Sequence, residues 1–160
     1  MTIQVGDRLP QATFRVMTAE GPAAKTTDDV FKGRKVVLVA VPGAFTPTCH
    51  RNHLPGYVAK AQEIRAKGID AIAVTAVNDV FVMDAWGKAA GAEGIELLAD
   101  GNADFAKAIG LSMDGSGFGL GTRSQRYSMV VDDGVVQAIN LEDAPGKADI
   151  SGAEALLKAL

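Results

Sequence analysis

The sequence has a single cysteine, Cys49, and only two histidines, both within four positions of it. One cysteine cannot form an intramolecular disulfide, and this fits a reducing compartment, so we expect a cytoplasmic protein. A structural zinc site needs four ligands, and Cys49, His50 and His53 supply only three. No metal or other cofactor is therefore expected.

Neither sign of charge dominates the chain, and long apolar runs are absent. The chain has 16 Lys and Arg residues and 19 Asp and Glu residues. It has no basic stripe of the kind that binds nucleic acid. The longest apolar run is far shorter than the roughly 20 residues of a membrane-spanning helix. The N-terminus lacks a charged segment followed by an apolar one, so no secretory signal is expected. With 160 residues, 48% of them hydrophobic, we expect one globular domain over 1–160.

Hydrophobic patterning predicts strands that alternate with helices. Residues 20–33 look like a loop, Asp132-Asp133-Gly134 predicts a hairpin turn, and Ser151 with Glu154 matches a helix capping box. The predicted strands are 12–16, 36–41, 69–77, 95–98, 127–131 and 135–141, and the predicted helices are 47–67, 78–90, 104–109 and one after 151.

From strand 36–41 onward the predicted order, β-α-β-α-β-α-β-β-α, indicates an α/β fold. Parallel strands linked by helices come first, and an antiparallel hairpin comes late, which predicts a mixed central sheet flanked by helices. This order is compatible with a thioredoxin-like fold. The pattern by itself leaves other α/β folds open.

Cys49 lies where the buried strand 36–41 gives way to a helix. Backbone N–H groups at a helix start are unpaired and carry partial positive charge. A thiol in that position tends to ionise, because the thiolate is stabilised more than the neutral form. A lone cysteine is more often a small buried hydrophobe, but this local context favours chemistry.

Four blocks of the sequence resemble the peroxiredoxin family, and together they span essentially the whole chain. The pattern Pro42-x-x-x-Thr46-x-x-Cys49 matches its active-site motif. The blocks 41–49, 53–57, 77–82 and 126–134 are similar to the peroxiredoxin V and plant type II subgroup. The resemblance implies a thioredoxin-like fold and a thiol peroxidase that reduces hydrogen peroxide and alkyl hydroperoxides.

The resemblance also implies roles for individual residues. Cys49 is the expected nucleophile and becomes a sulfenic acid. Thr46 offers its hydroxyl to the peroxide, and Pro42 shields the site from water. Arg126 matches the family's catalytic arginine, since a planar guanidinium can hold a thiolate and a peroxide oxygen together. Arg123, three residues earlier, is the competing candidate.

His53 lies four residues after Cys49, on the same helical face. A Cys/His pair allows a hydrolase-like dyad. The spacing favours a hydrogen-bonded, orienting histidine beside the site, and an acid/base role stays open. His50 is expected to face solvent.

Two-cysteine members of the subgroup have a second cysteine at a position that corresponds to about Val74 here. This chain has no second cysteine and departs from their pattern. The resemblance therefore implies an external thiol as reductant, with glutathione and glutaredoxin first and thioredoxin second. The alternative function is a redox sensor or holdase-like protein that changes partners when Cys49 is oxidised. A non-catalytic binding domain is disfavoured, because Pro42, Thr46 and Arg126 accompany the cysteine.

The glycine-rich stretch 114–121 lacks the G-x-G-x-x-G spacing of a phosphate site and precedes a strand, so we expect a flexible loop. It carries two large apolar residues, Phe118 and Leu120. The resemblance places this stretch near the active site and a dimer contact. We expect the partner subunit of a homodimer to bury both side chains.

Overall fold

The computed structural model describes residues 2–160. The strands are β1 (Thr13–Thr18), β2 (Gly21–Thr26), β3 (Lys35–Ala40), β4 (Ala71–Ala76), β5 (Glu96–Ala99), β6 (Ser112–Asp114), β7 (Thr122–Ser124), β8 (Tyr127–Asp132) and β9 (Val135–Leu141). Seven of them form a mixed central sheet in the order β2-β1-β5-β4-β3-β8-β9, and β6 and β7 form a separate two-stranded ribbon.

Helices cover both faces of the sheet. They are α1 (Thr27–Phe31), α2 (Leu54–Ala66), α3 (Val80–Ala89), α4 (Asp104–Ala108) and α5 (Ala153–Ala159). A π-helical turn, Cys49–His53, precedes α2, and a 3₁₀ turn, Ser116–Phe118, lies between β6 and β7. Within residues 2–160, no helix is long and apolar enough to cross a membrane.

The centre of the sheet is covered on both faces, and β3 and β4 are accordingly almost entirely apolar. β3 pairs in parallel with β4 and antiparallel with β8. Val37 and Val39 point into the cluster that holds Cys49, whereas Val36 and Leu38 point into the cluster on the other face. The predicted thioredoxin-like fold with a mixed sheet is confirmed.

The prediction of a loop over 20–33 is wrong. Gly21 takes a left-handed φ of 103° and turns the chain, so that β2 pairs with β1 from Thr18↔Gly21 onward. The residues after the strand form α1, which begins with a capping box. The Thr26 side chain accepts from the Asp29 N–H, and the Asp29 carboxylate accepts from the Thr26 N–H. The spacing Thr26-x-x-Asp29 is the sequence pattern from which this helix start could have been predicted.

The predicted capping box at Ser151 is also wrong. The N-cap of α5 is Gly152, and no side chain caps the helix. Ser151 is fully buried, and its hydroxyl donates instead to the carboxylate of Glu142 at 2.6 Å. The Ser151 hydroxyl therefore bonds to the Glu142 carboxylate, nine residues earlier in the chain, whereas the local pattern predicted that it would cap α5.

Two predicted connections are present in the structure. The hairpin between β8 and β9 is confirmed, since Asp133 and Gly134 both take positive φ values, 49° and 81°, as a tight two-residue turn requires. The loop predicted over 114–121 joins β6 to β7 and forms the tip of that ribbon. The Gly115 N–H donates to the Gly121 carbonyl at 2.7 Å and closes that tip.

Candidate active site

Cys49 lies in a π-helical turn rather than in the uniform α-helix predicted over 47–67. The Leu54 N–H donates to the Cys49 carbonyl five residues earlier, and regular α-helix resumes only at Leu54. Such turns recur at functional sites. Helical backbone begins at 47, so Thr48 and Cys49 lie in the first turn, whose N–H groups have no acceptor earlier in the helix. The Cys49 side chain is 0% exposed.

Arg126 connects the thiol to the residues around it. Its Nη2 donates to Cys49 Sγ at 2.8 Å, its Nη1 lies 2.8 Å from His53 Nδ1, and its Nε donates to the Pro145 carbonyl at 3.0 Å. The sheet register explains the position, because Ala40, the last residue of β3, pairs with Tyr127. Arg126 therefore lies beside the point where the chain leaves β3. With the guanidinium buried, its positive charge favours negative charge on the sulfur.

The partners of His53 fix its tautomer. The Ser151 carbonyl, 3.0 Å from Nε2, can only accept, so Nε2 carries the proton. The Arg126 guanidinium can only donate, so Nδ1 accepts. Burial and, to a smaller extent, the nearby guanidinium lower the pKa of His53 to about 4, against an opposing effect of the hydrogen bond to Ser151. This arrangement suits an orienting histidine better than an acid/base, and the role stays a prediction.

We expect His53 to make the protein less stable as the pH falls from about 6.5 to about 4. In this window the unfolded state binds a proton that the folded state excludes, so the free energy of unfolding drops with pH. The loss reaches about 3 kcal/mol, at 1.36 kcal/mol per pKa unit. Denaturant titrations between pH 7 and 4 of wild type and His53→Gln measure it. Equal pH slopes in both proteins would contradict the expectation.

The loop before the helix is held by several specific contacts. The Thr46 hydroxyl donates to the Gly43 carbonyl at 2.7 Å, which leaves its lone pairs free to accept. The Ala44 N–H donates to the Asn78 side chain at 2.9 Å, and Phe45 takes a left-handed φ of 63°. Asp79, the residue after Asn78, caps α3.

Arg123 borders this loop but does not reach the thiol. Its Nη1 donates to the Pro42 carbonyl at 3.4 Å and its Nε to the Leu120 carbonyl at 2.9 Å. Pro42 is buried. A Cβ on Gly43 would lie 2.9 Å from the Arg123 guanidinium and 3.1 Å from the Thr46 methyl group. A side chain at position 43 would therefore displace the Arg123 guanidinium and crowd Thr46.

Several contacts around the site were not expected from the sequence. The prediction that His50 faces solvent is wrong, because the ring is half-buried and accepts from Trp86 Nε1 at 3.1 Å. The Tyr57 hydroxyl donates to the Ser151 carbonyl at 2.6 Å. Ser151 in turn binds the Glu142 carboxylate through both its N–H and its hydroxyl. No local pattern links these residues, since they lie far apart in the chain.

Comparison with known proteins places the chain in a family. Residues 4–157 match the Redoxin family. The chain is 50% identical to the chloroplastic peroxiredoxin-2E-2 of rice, over 99% of this chain and 73% of that protein. It is 43% identical to a peroxiredoxin of Synechocystis, over 85% of this chain and 77% of that protein.

Solved structures agree with this assignment. The crystal structure of reduced Prx3 from Vibrio vulnificus in complex with hydrogen peroxide has a TM-score of 0.94 and 53% identity, and 99% of each chain is covered. Peroxiredoxin 5 from Alvinella pompejana has a TM-score of 0.85 and 34% identity, over 98% of this chain and 97% of that one. With this fold, one cysteine and these relatives, the chain belongs to the redoxin family and is a peroxiredoxin of the type II and peroxiredoxin V kind, a thiol-dependent peroxidase.

Proposed function

We propose that the chain reduces hydrogen peroxide and alkyl hydroperoxides at Cys49, with Arg126, Thr46 and Pro42 completing the site. The contact of 2.8 Å between Arg126 Nη2 and Cys49 Sγ is the observation that carries the proposal. It places a fixed cation beside the only sulfur in the chain that can act as a nucleophile. The Vibrio vulnificus structure with bound hydrogen peroxide supports the choice of substrate.

The residues support a two-electron reduction. The Cys49 thiolate attacks one peroxide oxygen, a sulfur–oxygen bond forms, and the oxygen–oxygen bond breaks. Cys49 becomes a sulfenic acid, and the departing oxygen takes a proton and leaves as water or an alcohol. Arg126 and the first-turn N–H groups stabilise the charge that develops on the oxygens. Thr46 accepts from the peroxide while it donates to Gly43.

The reductant must come from outside the chain, because Cys49 is its only cysteine. A glutathione thiolate attacks the sulfenic sulfur, releases water, and leaves a mixed disulfide on Cys49. A second thiol, from glutaredoxin or another glutathione, then restores Cys49. Because Cys49 is 0% exposed, the turn Cys49–His53 has to open before a thiol of this size can reach the sulfur.

Intact mass and turnover test this cycle. After peroxide, the protein without glutathione should gain oxygen only, first as sulfenic and then as sulfinic acid. With glutathione present it should carry one glutathione adduct on Cys49. Peroxide consumption should be faster with glutathione and glutaredoxin than with the thioredoxin system. A dominant Cys49–Cys49 disulfide between chains would rule out the proposed cycle, and a single oxidation without turnover would favour a redox sensor.

We also propose a homodimer that covers the exposed aromatic residues near the site. Phe118 is 84% exposed and Phe45 45%. The Phe45 ring packs against His50, with ring centroids 5.4 Å apart, and Arg123 joins the loop that carries Phe45 to the ribbon tip that carries Phe118. Phe45 and Phe118 therefore border one side of the site, where a second copy of the chain can bury them.

Sedimentation tests the dimer directly. Wild type should sediment as a dimer at micromolar concentration, and Phe118→Ser should shift it toward monomer because a large apolar contact is lost. Val5→Ser is a matched control, since Val5 is also an exposed apolar residue, at 60%, and lies on the N-terminal segment. A wild-type monomer, or equal effects of the two substitutions, would contradict the proposal.

We propose further that residues 1–160 act as one redoxin domain in a reducing compartment. The sheet takes strands from residues 13 to 141, and α5 packs against α2, which supports a single unit. The cytoplasm stays our proposal for the compartment on the basis of the unpaired cysteine. Two of the relatives, from rice and Arabidopsis, are chloroplastic.

A further inference from the structure

A buried carboxylate, Glu142, lies behind the site without touching the sulfur. Glu142 follows β9, and its N–H donates to the Arg126 carbonyl at 3.0 Å. Its side chain turns inward, where one oxygen accepts from the Ser151 N–H at 2.7 Å and from the Ser151 hydroxyl at 2.6 Å. Glu142 is 8% exposed and Ser151 is 0% exposed. Burying a carboxylate destabilises the folded protein unless hydrogen bonds or an opposite charge replace its lost hydration. The buried position of Glu142 therefore indicates a structural or functional role.

From Ser151 a chain of hydrogen bonds leads to the thiol. The Ser151 carbonyl accepts from His53 Nε2 at 3.0 Å and from the Tyr57 hydroxyl at 2.6 Å. His53 Nδ1 meets Arg126 Nη1 at 2.8 Å, and Arg126 Nη2 meets Cys49 Sγ at 2.8 Å. Every bond in this series lies in the interior, where a misplaced polar group is not rescued by water.

The same carboxylate fixes the segment between residues 142 and 151. This segment supplies two more acceptors at the site, since Arg126 Nε donates to the Pro145 carbonyl at 3.0 Å and the Thr48 hydroxyl to the Gly146 carbonyl at 3.1 Å. Residues 143–150 are mostly exposed and lie outside the sheet and the helices. The Glu142–Ser151 contact therefore closes the loop of residues 143–150, whose Pro145 carbonyl holds Nε of the guanidinium.

We propose that Glu142 is a positioning residue for peroxide reduction and acts on Arg126 through Ser151 and His53. This inference rests on the proposed roles of Cys49 and Arg126. Glu142 holds the N–H and the hydroxyl of Ser151, and the carbonyl of the same residue holds His53 in its Nε2–H tautomer. The Nδ1 of His53 then accepts from one arm of the guanidinium. The other arm is then aimed at the sulfur and at the incoming peroxide. A small displacement of such a group is enough to slow a reaction severely.

The test measures the second-order rate constant for oxidation of Cys49 by hydrogen peroxide, using quenched flow and intact mass. Glu142→Ala should lower it at least about tenfold. Glu142→Gln should stay near wild type, because an amide oxygen can still accept from the Ser151 N–H. Asp100→Ala is the matched control. Asp100 is also a buried carboxylate that accepts two bonds, from the Phe105 and Ala106 N–H groups, and it should lower stability but not this rate.

A double-mutant cycle separates positioning from a general structural role. In an Arg126→Gln background, Glu142→Ala should have almost no further effect, because the group through which it acts is gone. An equal fold-loss in both backgrounds, or a folded Glu142→Ala protein that reacts at the wild-type rate, overturns the inference. If Glu142→Ala does not fold, Glu142→Leu, which fills the same space but cannot accept a hydrogen bond, takes its place in the cycle with the same expectations. If Arg126→Gln alone reacts like wild type, the proposed function is wrong, and this inference fails with it.

Discussion

Cys49→Ser is expected to abolish peroxide turnover. A serine hydroxyl is not ionised at neutral pH, and no other residue of the chain can take the place of the sulfur, since Cys49 is its only cysteine. The two side chains are close in size, so the packing around position 49 should persist. Peroxide consumption with glutathione and glutaredoxin measures the effect, and thermal unfolding confirms the fold. A folded Cys49→Ser protein that consumed peroxide above the blank would exclude Cys49 as the nucleophile.

Arg126→Gln is expected to lower the rate constant for oxidation of Cys49 by about 10²–10³, the usual effect of removing one preorganised donor. The substitution removes the cation 2.8 Å from the sulfur and leaves the β8 backbone in place. The measurement is quenched flow with hydrogen peroxide, at one pH and several peroxide concentrations. Circular dichroism establishes that the variant is folded.

Arg123→Gln is the matched comparison for Arg126. Its guanidinium donates to the carbonyls of Pro42 and Leu120, and within residues 2–160 it makes no hydrogen bond to the sulfur. We therefore expect Arg123→Gln to lower the rate constant for oxidation of Cys49 clearly less than Arg126→Gln does. An Arg123→Gln protein that lost more activity than Arg126→Gln would move the catalytic assignment to Arg123.

Local sequence determined the parts of the fold that depend on neighbouring residues. The apolar run of β3, the Asp133-Gly134 turn and the position of Cys49 at a helix start were all predicted from short segments. Each depends on backbone preference or on burial of a continuous apolar run, and both are properties of the segment itself. Four short blocks, the one around Cys49 among them, also indicated the family, because each consists of neighbouring residues.

Tertiary structure decided the contacts that complete the site. Arg126 and Cys49 are 77 positions apart, and only the antiparallel register of β3 with β8 brings them together. Ser151 illustrates the same limit. Its local pattern predicted a helix cap, yet a buried carboxylate outcompeted the helix for its hydroxyl. The sequence thus indicated the residues to which we assign the chemistry, whereas their orientation depends on buried polar groups that find partners only when distant segments pack together.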